Sequence, residues 1–122
     1  MSKTFKSSEL YLQLMIDACV KIKEYIQQTN KAEFLTQKEF YDAVCMQFSH
    51  MGEQVNHLQD SSERIIQHFP DDVDWSSLKG LRNQIDHNYV SIDAEKIWDF
   101  ANKETEELER ALRRILKKRF GK

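Results

Sequence analysis

Residues 81–89 hold an arginine, an asparagine, an aspartate, a histidine and a tyrosine, which are side chains that can bind and cleave a phosphodiester. The guanidinium of Arg82 can donate two parallel hydrogen bonds to phosphate oxygens and stays charged at physiological pH. An imidazole such as that of His87 can accept or release a proton near neutral pH. Such a combination can cleave RNA, where the 2′-hydroxyl is the nucleophile and no metal ion is needed.

Helix geometry limits how these side chains can meet. At about 100° per residue, Arg82 and Tyr89 share a helix face, whereas Arg82 and His87 lie about 140° apart. The helix could break near His87, the Arg82 side chain could reach around it, or two copies of the chain could combine their residues. We favour a combination of the last two. In the purely structural alternative, Arg82 pairs with Asp86 at i,i+4, while His87 and Tyr89 fill the end of the helix.

The composition and the hydrophobic periodicity predict an all-α fold. The 122 residues include only three glycines and one proline, which favours helices over turn-rich β architectures. We predict an up-and-down four-helix bundle with an additional short helix, and the long apolar seams leave surface for dimerisation. The long helices are expected over about 8–28, from a capping box at Thr36 and Glu39, from Asp74-Trp75, and from an Asp93 cap to about residue 118. The short helix is expected over 60–68, capped by Ser61 or Ser62.

Gly52 interrupts the apolar face of the second predicted helix, which carries Phe40, Val44, Phe48, Met51 and Val55. A glycine inside a helix is unfavourable relative to alanine by about 1 kcal/mol. Such a glycine usually allows close packing, so Gly52 predicts a close crossing with another helix.

The charge is unevenly distributed. The net charge is −2, but residues 110–122 contain seven basic residues and no acid, so residues 1–109 carry −9. The basic end, including the tail at about 117–122, could attract nucleic acid or an acidic partner. It could equally be a helix end stabilised by cations, followed by a solvated tail.

The remaining features predict a reduced, cytoplasmic protein that acts without a cofactor. Residues 1–8 are polar, with no signal peptide and no apolar run long enough to cross a membrane. Cys19 and Cys45 lie in apolar patterns typical of buried thiols. His50 and His57 have a spacing that could suit a metal, but no third ligand accompanies them, so we interpret them as surface or interface residues. No glycine-rich phosphate loop is present. Trp75 and Trp98 are predicted core or interface anchors.

The pattern Arg82-x4-His87-x-Tyr89 resembles the signature of HepT-like toxins, a branch of the HEPN superfamily. The resemblance extends over about residues 10–116. Its further elements are Asp42-Ala43-Val44, Gly52-Glu53, Pro70, Trp75, Gly80-Leu81-Arg82-Asn83 and Ile97-Trp98. Two positions depart from the family pattern: Leu81 stands where methionine is frequent, and Asp86 stands where an apolar or small residue is common.

This resemblance implies one HEPN domain over residues 1–122 that forms a homodimer with two Arg–His motifs facing one cleft. It implies a metal-independent RNA endonuclease toxin, in which Arg82 holds the phosphate and His87 is the acid/base residue. Asn83 and Asp86 are expected to support them. The implied partner is an MntA-type minimal nucleotidyltransferase antitoxin, which transfers AMP from ATP to Tyr89. Two alternatives remain: a non-catalytic docking or substrate-binding partner of a nucleotidyltransferase, which the acidic body fits, and a purely structural bundle.

Overall fold

The computed structural model describes residues 7–122, and all regular structure within them is helical. The polar start of the chain and the expected domain limit at residue 1 lie outside the described residues. The helices are α1 (Ser8–Gln27), α2 (Lys31–Thr36), α3 (Lys38–Gln59), α4 (Ile65–His68), α5 (Trp75–Asn88), α6 (Ala94–Lys103) and α7 (Thr105–Phe120), with a 3-10 turn at Tyr89–Ser91. The prediction of an all-α bundle is confirmed.

The four longest helices pack side by side in the order α5, α3, α1 and α7, and neighbours run antiparallel. The contacts that define this order join Tyr11 to His57, Cys19 to Met51, Gly52 to Arg82, Asp42 to Tyr89, Lys23 to Glu109 and Glu9 to Lys122. Helix α3 therefore lies between α1 and α5, and its outer side supports the segment that carries the predicted chemistry.

The core is built from the predicted apolar seams. On α3, Val44, Phe48, Met51 and Val55 are all buried, as the spacing of three and four residues requires. The side chains of α1 and α7 that face them include Leu12, Met15, Ile16, Ile22, Leu112 and Ile115. The core thereby fixes the orientation of α3, and α3 in turn fixes the position of α5.

Both cysteines are free and buried, which confirms the prediction of buried thiols. Burial raises the pKa of the Cys19 thiol to about 12 and that of the Cys45 thiol to about 11, because a thiolate is poorly solvated in an apolar core. Both side chains therefore remain protonated at physiological pH and act as small apolar residues.

The capping box predicted at Thr36 and Glu39 is wrong. Thr36 is the last residue of an additional short helix, α2, and its hydroxyl donates to the Ala32 carbonyl at 2.8 Å. Helix α3 begins at Lys38 after Gln37, whose side chain makes no capping hydrogen bond. A hydroxyl that bonds backward within α2 is not available to cap α3. By contrast, the predicted cap Asp93 accepts from the backbone N–H of Glu95 in α6, and α5 begins as predicted at Asp74-Trp75, where Asp74 accepts from the backbone N–H of Ser77.

The predicted short helix over residues 60–68 is confined to α4, and neither Ser61 nor Ser62 caps it. The Ser61 hydroxyl accepts from the backbone N–H of Glu63 at 3.2 Å and also contacts the hydroxyl of Ser8. Arg64 then adopts a left-handed conformation, with φ 57°. Residues 60–64 therefore form turns that tie the start of α1 to the end of α3.

The last predicted helix is two helices, because the chain breaks at Glu104. Helix α6 contacts α1, α2 and α3, whereas α7 packs mainly along α1, and Ile97, Leu112 and Ile115 are buried. No glycine or proline marks the break in the sequence. None of the helices within residues 7–122 is long and apolar enough to span a membrane.

Candidate active site

Arg82 lies where α5 crosses α3, and acidic side chains hold its guanidinium. Its Nη2 atom is 2.7 Å from Oε1 of Glu53 on α3 and 3.5 Å from Oδ2 of Asp86 one turn further along α5. The Arg82 side chain remains 27% exposed. A partly exposed guanidinium held in one orientation can exchange a carboxylate for a phosphate, which has matching geometry.

Gly52 allows this arrangement, and the predicted close helix crossing is confirmed. A Cβ atom at residue 52 would lie 2.3 Å from Cβ of Arg82 and 3.0 Å from the carbonyl oxygen of Leu78. Only a residue without a side chain fits there. The base of the Arg82 side chain therefore lies directly against the backbone of α3, with Glu53 as the next residue.

We expect Gly52→Ala to destabilise the protein despite the better helix propensity of alanine. Overpacking costs about 1–3 kcal/mol, which exceeds the gain of about 1 kcal/mol from replacing a helical glycine. Urea denaturation monitored by circular dichroism measures the change. Gly80→Ala is the matched control, because a Cβ atom there meets nothing within 4 Å, and this variant should gain stability. A Gly52→Ala protein as stable as the wild type would contradict the close contact.

Glu53 is a site residue that sequence reasoning missed. Its Oε2 atom is 3.3 Å from Nε2 of His57, and the His57 ring stacks on Tyr11 at 4.9 Å between centroids. The Glu53 carboxylate thus joins Arg82 to His57, one turn further along α3, and His57 in turn contacts Tyr11 of α1. The sequence signal was the adjacency of Glu53 to Gly52, because the residue after a helix-crossing glycine lies beside the crossing helix.

Asp86 is fixed from the other side by Ser49 of α3, whose hydroxyl donates to Oδ1 at 3.1 Å. The Arg82–Asp86 pair of the structural alternative is therefore present, but it is longer than the Arg82–Glu53 pair. Half-exposed i,i+4 pairs contribute little to stability. The pair is compatible with a supporting role for Asp86 beside the guanidinium.

His87 is exposed on the last turn of α5. The α-helix ends at Asn88, one residue after His87, and passes into the 3-10 turn, so the alternative of a break near His87 is met, but the break follows His87 and does not turn its ring towards Arg82. Within residues 7–122, the His87 ring has no hydrogen bond or ion pair. One chain therefore brings Arg82 and His87 onto the same helix but does not bring them into contact, since Arg82 is held against α3.

Tyr89 begins the 3-10 turn after α5 and is half-buried. Its hydroxyl donates a hydrogen bond to Oδ1 of Asp42 on α3. The Tyr89 ring lies 5.7 Å from that of Tyr41, and the Lys38 amine is 5.8 Å from its centroid. Asp42 is one of the residues on which the family resemblance rests. Its contact with Tyr89 could not be predicted, because it depends on how α3 packs against α5.

The basic end of α7 is partly neutralised by its own acids. Arg110, Arg113 and Arg114 pair with glutamates of the first two turns of α7, and Lys122 pairs with Glu9. Lys117, Lys118 and Arg119 form no ion pair with the described residues. In that same part of the chain, no group of three or more His, Cys, Asp or Glu side chains is placed to hold a metal ion.

Comparison with known proteins finds a family match. The family model described as "Ribonuclease HepT-like" matches residues 15–115. A relative from Caldanaerobacter subterraneus subsp. tengcongensis, named "Putative RNase TTE0752", is 25% identical over 113 residues, covering 93% of this chain and 97% of the relative. A relative from Methanocaldococcus jannaschii, named "Putative RNase MJ0127", is 33% identical over 88 residues, covering 70% and 69%. No solved structure matches this chain.

Proposed function

Since this chain belongs to the HepT-like ribonuclease family, we propose that it is a metal-independent endoribonuclease with Arg82 and His87 as its catalytic residues. The observation that carries the proposal is the arrangement on α5. A guanidinium is held in one orientation by Glu53, and an exposed imidazole without a partner among residues 7–122 follows on the same helix. A purely structural ion-pair network would not explain the exposed, unpaired imidazole of His87.

The proposed step is attack of an RNA 2′-hydroxyl on the adjacent phosphorus. His87 accepts the hydroxyl proton as the new P–O bond forms, and the bond to the 5′ oxygen breaks with return of a proton to that oxygen. Arg82 binds the nonbridging oxygens and stabilises their growing negative charge. The products are a 2′,3′-cyclic phosphate and a 5′-hydroxyl. The side chains of Asn83 and Asp86 orient the guanidinium and the substrate.

The active form in this proposal is a homodimer whose two copies contribute to one cleft. Two exposed apolar side chains support this assignment. Met46, 59% exposed, lies on α3 between Asp42 and Ser49, and Val90, 91% exposed, follows Tyr89. An interface at this position would remove these two apolar side chains from water, which is favourable. A second copy seated there would bring its own α5 towards Arg82.

The proposed regulator is an MntA-like minimal nucleotidyltransferase that transfers AMP from ATP to the Tyr89 hydroxyl. The position of Tyr89 supports this assignment. Modification would remove the hydrogen bond to Asp42 and add a negatively charged phosphodiester beside its carboxylate. The added charge and bulk lie two residues from His87 and would repel RNA. The toxin activity would thus be silenced without unfolding the bundle.

A second candidate function is a non-catalytic docking module for a nucleotidyltransferase. It is favoured by the acidic pairing of Arg82 with both Glu53 and Asp86 and by the charge of −9 over residues 1–109. Such a surface fits a basic protein better than a polyanion. The exposed His87 is not explained by docking, so we rank this function second.

The direct test is cleavage of messenger and transfer RNA by the purified protein in EDTA, after intact-mass analysis confirms that Tyr89 is unmodified. We expect cleavage with 2′,3′-cyclic phosphate ends, because the reaction proceeds through the 2′-hydroxyl. An RNA methylated at every 2′ oxygen is the control and should resist cleavage. Unmodified protein that cleaves neither RNA, but binds a nucleotidyltransferase, would establish the docking function instead.

A further inference from the structure

A cavity of about 730 Å³ opens on the side of α5 next to the candidate site. Lys79, Gly80 and Asn83 of α5 form one wall, and Gln59 at the end of α3 closes one side. The floor comes from α4, the segment that follows it and the first residue of α5, and includes Ile66, Pro70, Val73 and Trp75. This volume falls in the range of small-molecule and cofactor sites. Arg82 does not line the cavity, but Asn83 lies one helix turn before His87 on the same face of α5.

Gly80 has no packing reason to be a glycine. A Cβ atom at Gly52 would collide with Arg82, whereas a Cβ atom at Gly80 would meet nothing within 4 Å. Gly80 is inside α5, with helical backbone and no positive φ. A glycine there destabilises the helix relative to alanine and gains no contact in return. What Gly80 provides is bare backbone on the cavity wall, which a ligand can approach closely.

We infer that this cavity binds a nucleoside of the RNA substrate, one helix turn from His87. The inference rests on the proposed ribonuclease function and adds a substrate subsite to it. The Asn83 amide both donates and accepts, as recognition of a base edge requires. The apolar floor can cover the faces of a base. The ribose would lie against the bare backbone at Gly80.

The charges favour a base and ribose over a phosphate in this cavity. Asp71 and Asp74 line it and would repel a phosphate, but their carboxylates can accept from amino and hydroxyl groups. Hydrogen bonds from Ser77 lower the pKa of Asp74, so this carboxylate is ionised at neutral pH. The Lys79 amine donates to Oε1 of Gln59 at 2.9 Å and holds the wall in place. In this proposal Arg82 binds the phosphate, which lies outside the cavity.

The test is binding of a 2′-O-methyl RNA, which cannot be cleaved, to Gly80→Ala and Gly80→Leu proteins. Both replacements favour the helix, and each adds a side chain at the edge of this cavity, where Gly80 also borders a second cavity beside α6. We expect unfolding midpoints at or above that of the wild type, with RNA affinity reduced about threefold for alanine and at least tenfold for leucine. Gln13→Ala and Gln13→Leu, at an exposed position of α1, are the matched controls and should bind like the wild type.

The outcomes separate this inference from the proposed function. Cleavage by the wild type, with Gly80→Leu binding and cleaving equally well, would overturn the subsite and leave the ribonuclease proposal standing. RNA binding that is weakened at Gly80, without cleavage by the wild type, would retain the subsite and remove the catalytic proposal. A wild type that does not bind RNA overturns the subsite. Tight binding of free AMP with unchanged RNA affinity in the variants would also overturn it, because the cavity would then serve a free nucleotide.

Discussion

Replacing His87 with alanine is expected to lower the rate of RNA cleavage by a factor of about 10²–10⁴, the usual contribution of a general acid or base. RNA affinity should change little, because Arg82 keeps its contacts with Glu53 and Asp86. Stability should also be retained, since His87 is exposed and makes no hydrogen bond within residues 7–122. Single-turnover cleavage in EDTA, with the unfolding midpoint measured alongside, gives these quantities.

His68→Ala is the matched control for this experiment. His68 is also an exposed histidine at the end of a helix, α4, but it lies outside the Arg82-x4-His87 pattern and outside the proposed dimer interface, so its replacement should leave cleavage unchanged. Full activity of His87→Ala would remove the proposed mechanism. Equal losses in both variants would point to a general effect of histidine on this surface rather than to acid/base chemistry.

The helices themselves could be predicted from the sequence because apolar spacing records which face is buried. The seam of Val44, Phe48, Met51 and Val55 was sufficient to identify α3 and its core face. The ends of helices were harder to predict where a side chain had two possible hydrogen-bond partners. Thr36 could cap the helix after it or bond to the turn before it, and only the presence of α2 decides between them.

The helix break at Glu104 could not be predicted from the sequence, for a different reason. No glycine or proline separates the two helices, but α6 contacts α1, α2 and α3, whereas α7 packs mainly along α1. The surrounding residues, Lys103 and Glu106 among them, are good helix formers. Tertiary packing therefore overrode local preference, and a single sequence records that packing only indirectly.

The contacts of the candidate site could likewise be predicted only in part. Residues within one helix, such as Arg82 and Asp86, have contacts that follow from spacing alone. The contacts of Arg82 with Glu53 and of Tyr89 with Asp42 depend on the register between α3 and α5. Gly52 was the one local sign of that register, because its missing side chain marks where the two helices touch. Whether these residues act together in catalysis stays a prediction.

Mixing two inactive variants, Arg82→Gln and His87→Ala, is expected to restore cleavage if the two copies of a dimer share one site. Along α5 the two side chains are about 140° apart, and Arg82 is directed to α3, so the Arg82 of one copy should act with the His87 of the other. A mixed dimer then contains one site with both residues intact and one with neither. After equal mixing and exchange, half of the dimers are mixed, which gives about a quarter of the wild-type activity by symmetry.

This experiment distinguishes a shared site from a self-contained one, because in the latter every site lacks one residue and the mixture stays inactive. Exchange must be demonstrated by native mass spectrometry of the mixture, using the mass difference between the variants. The doubly substituted protein, carrying both changes in one chain, is the matched control when mixed with either single variant, since neither mixture can form an intact shared site. Inactive mixtures that contain mixed dimers would show that Arg82 and His87 act within one chain, and Arg82 would then have to leave Glu53 to reach the substrate.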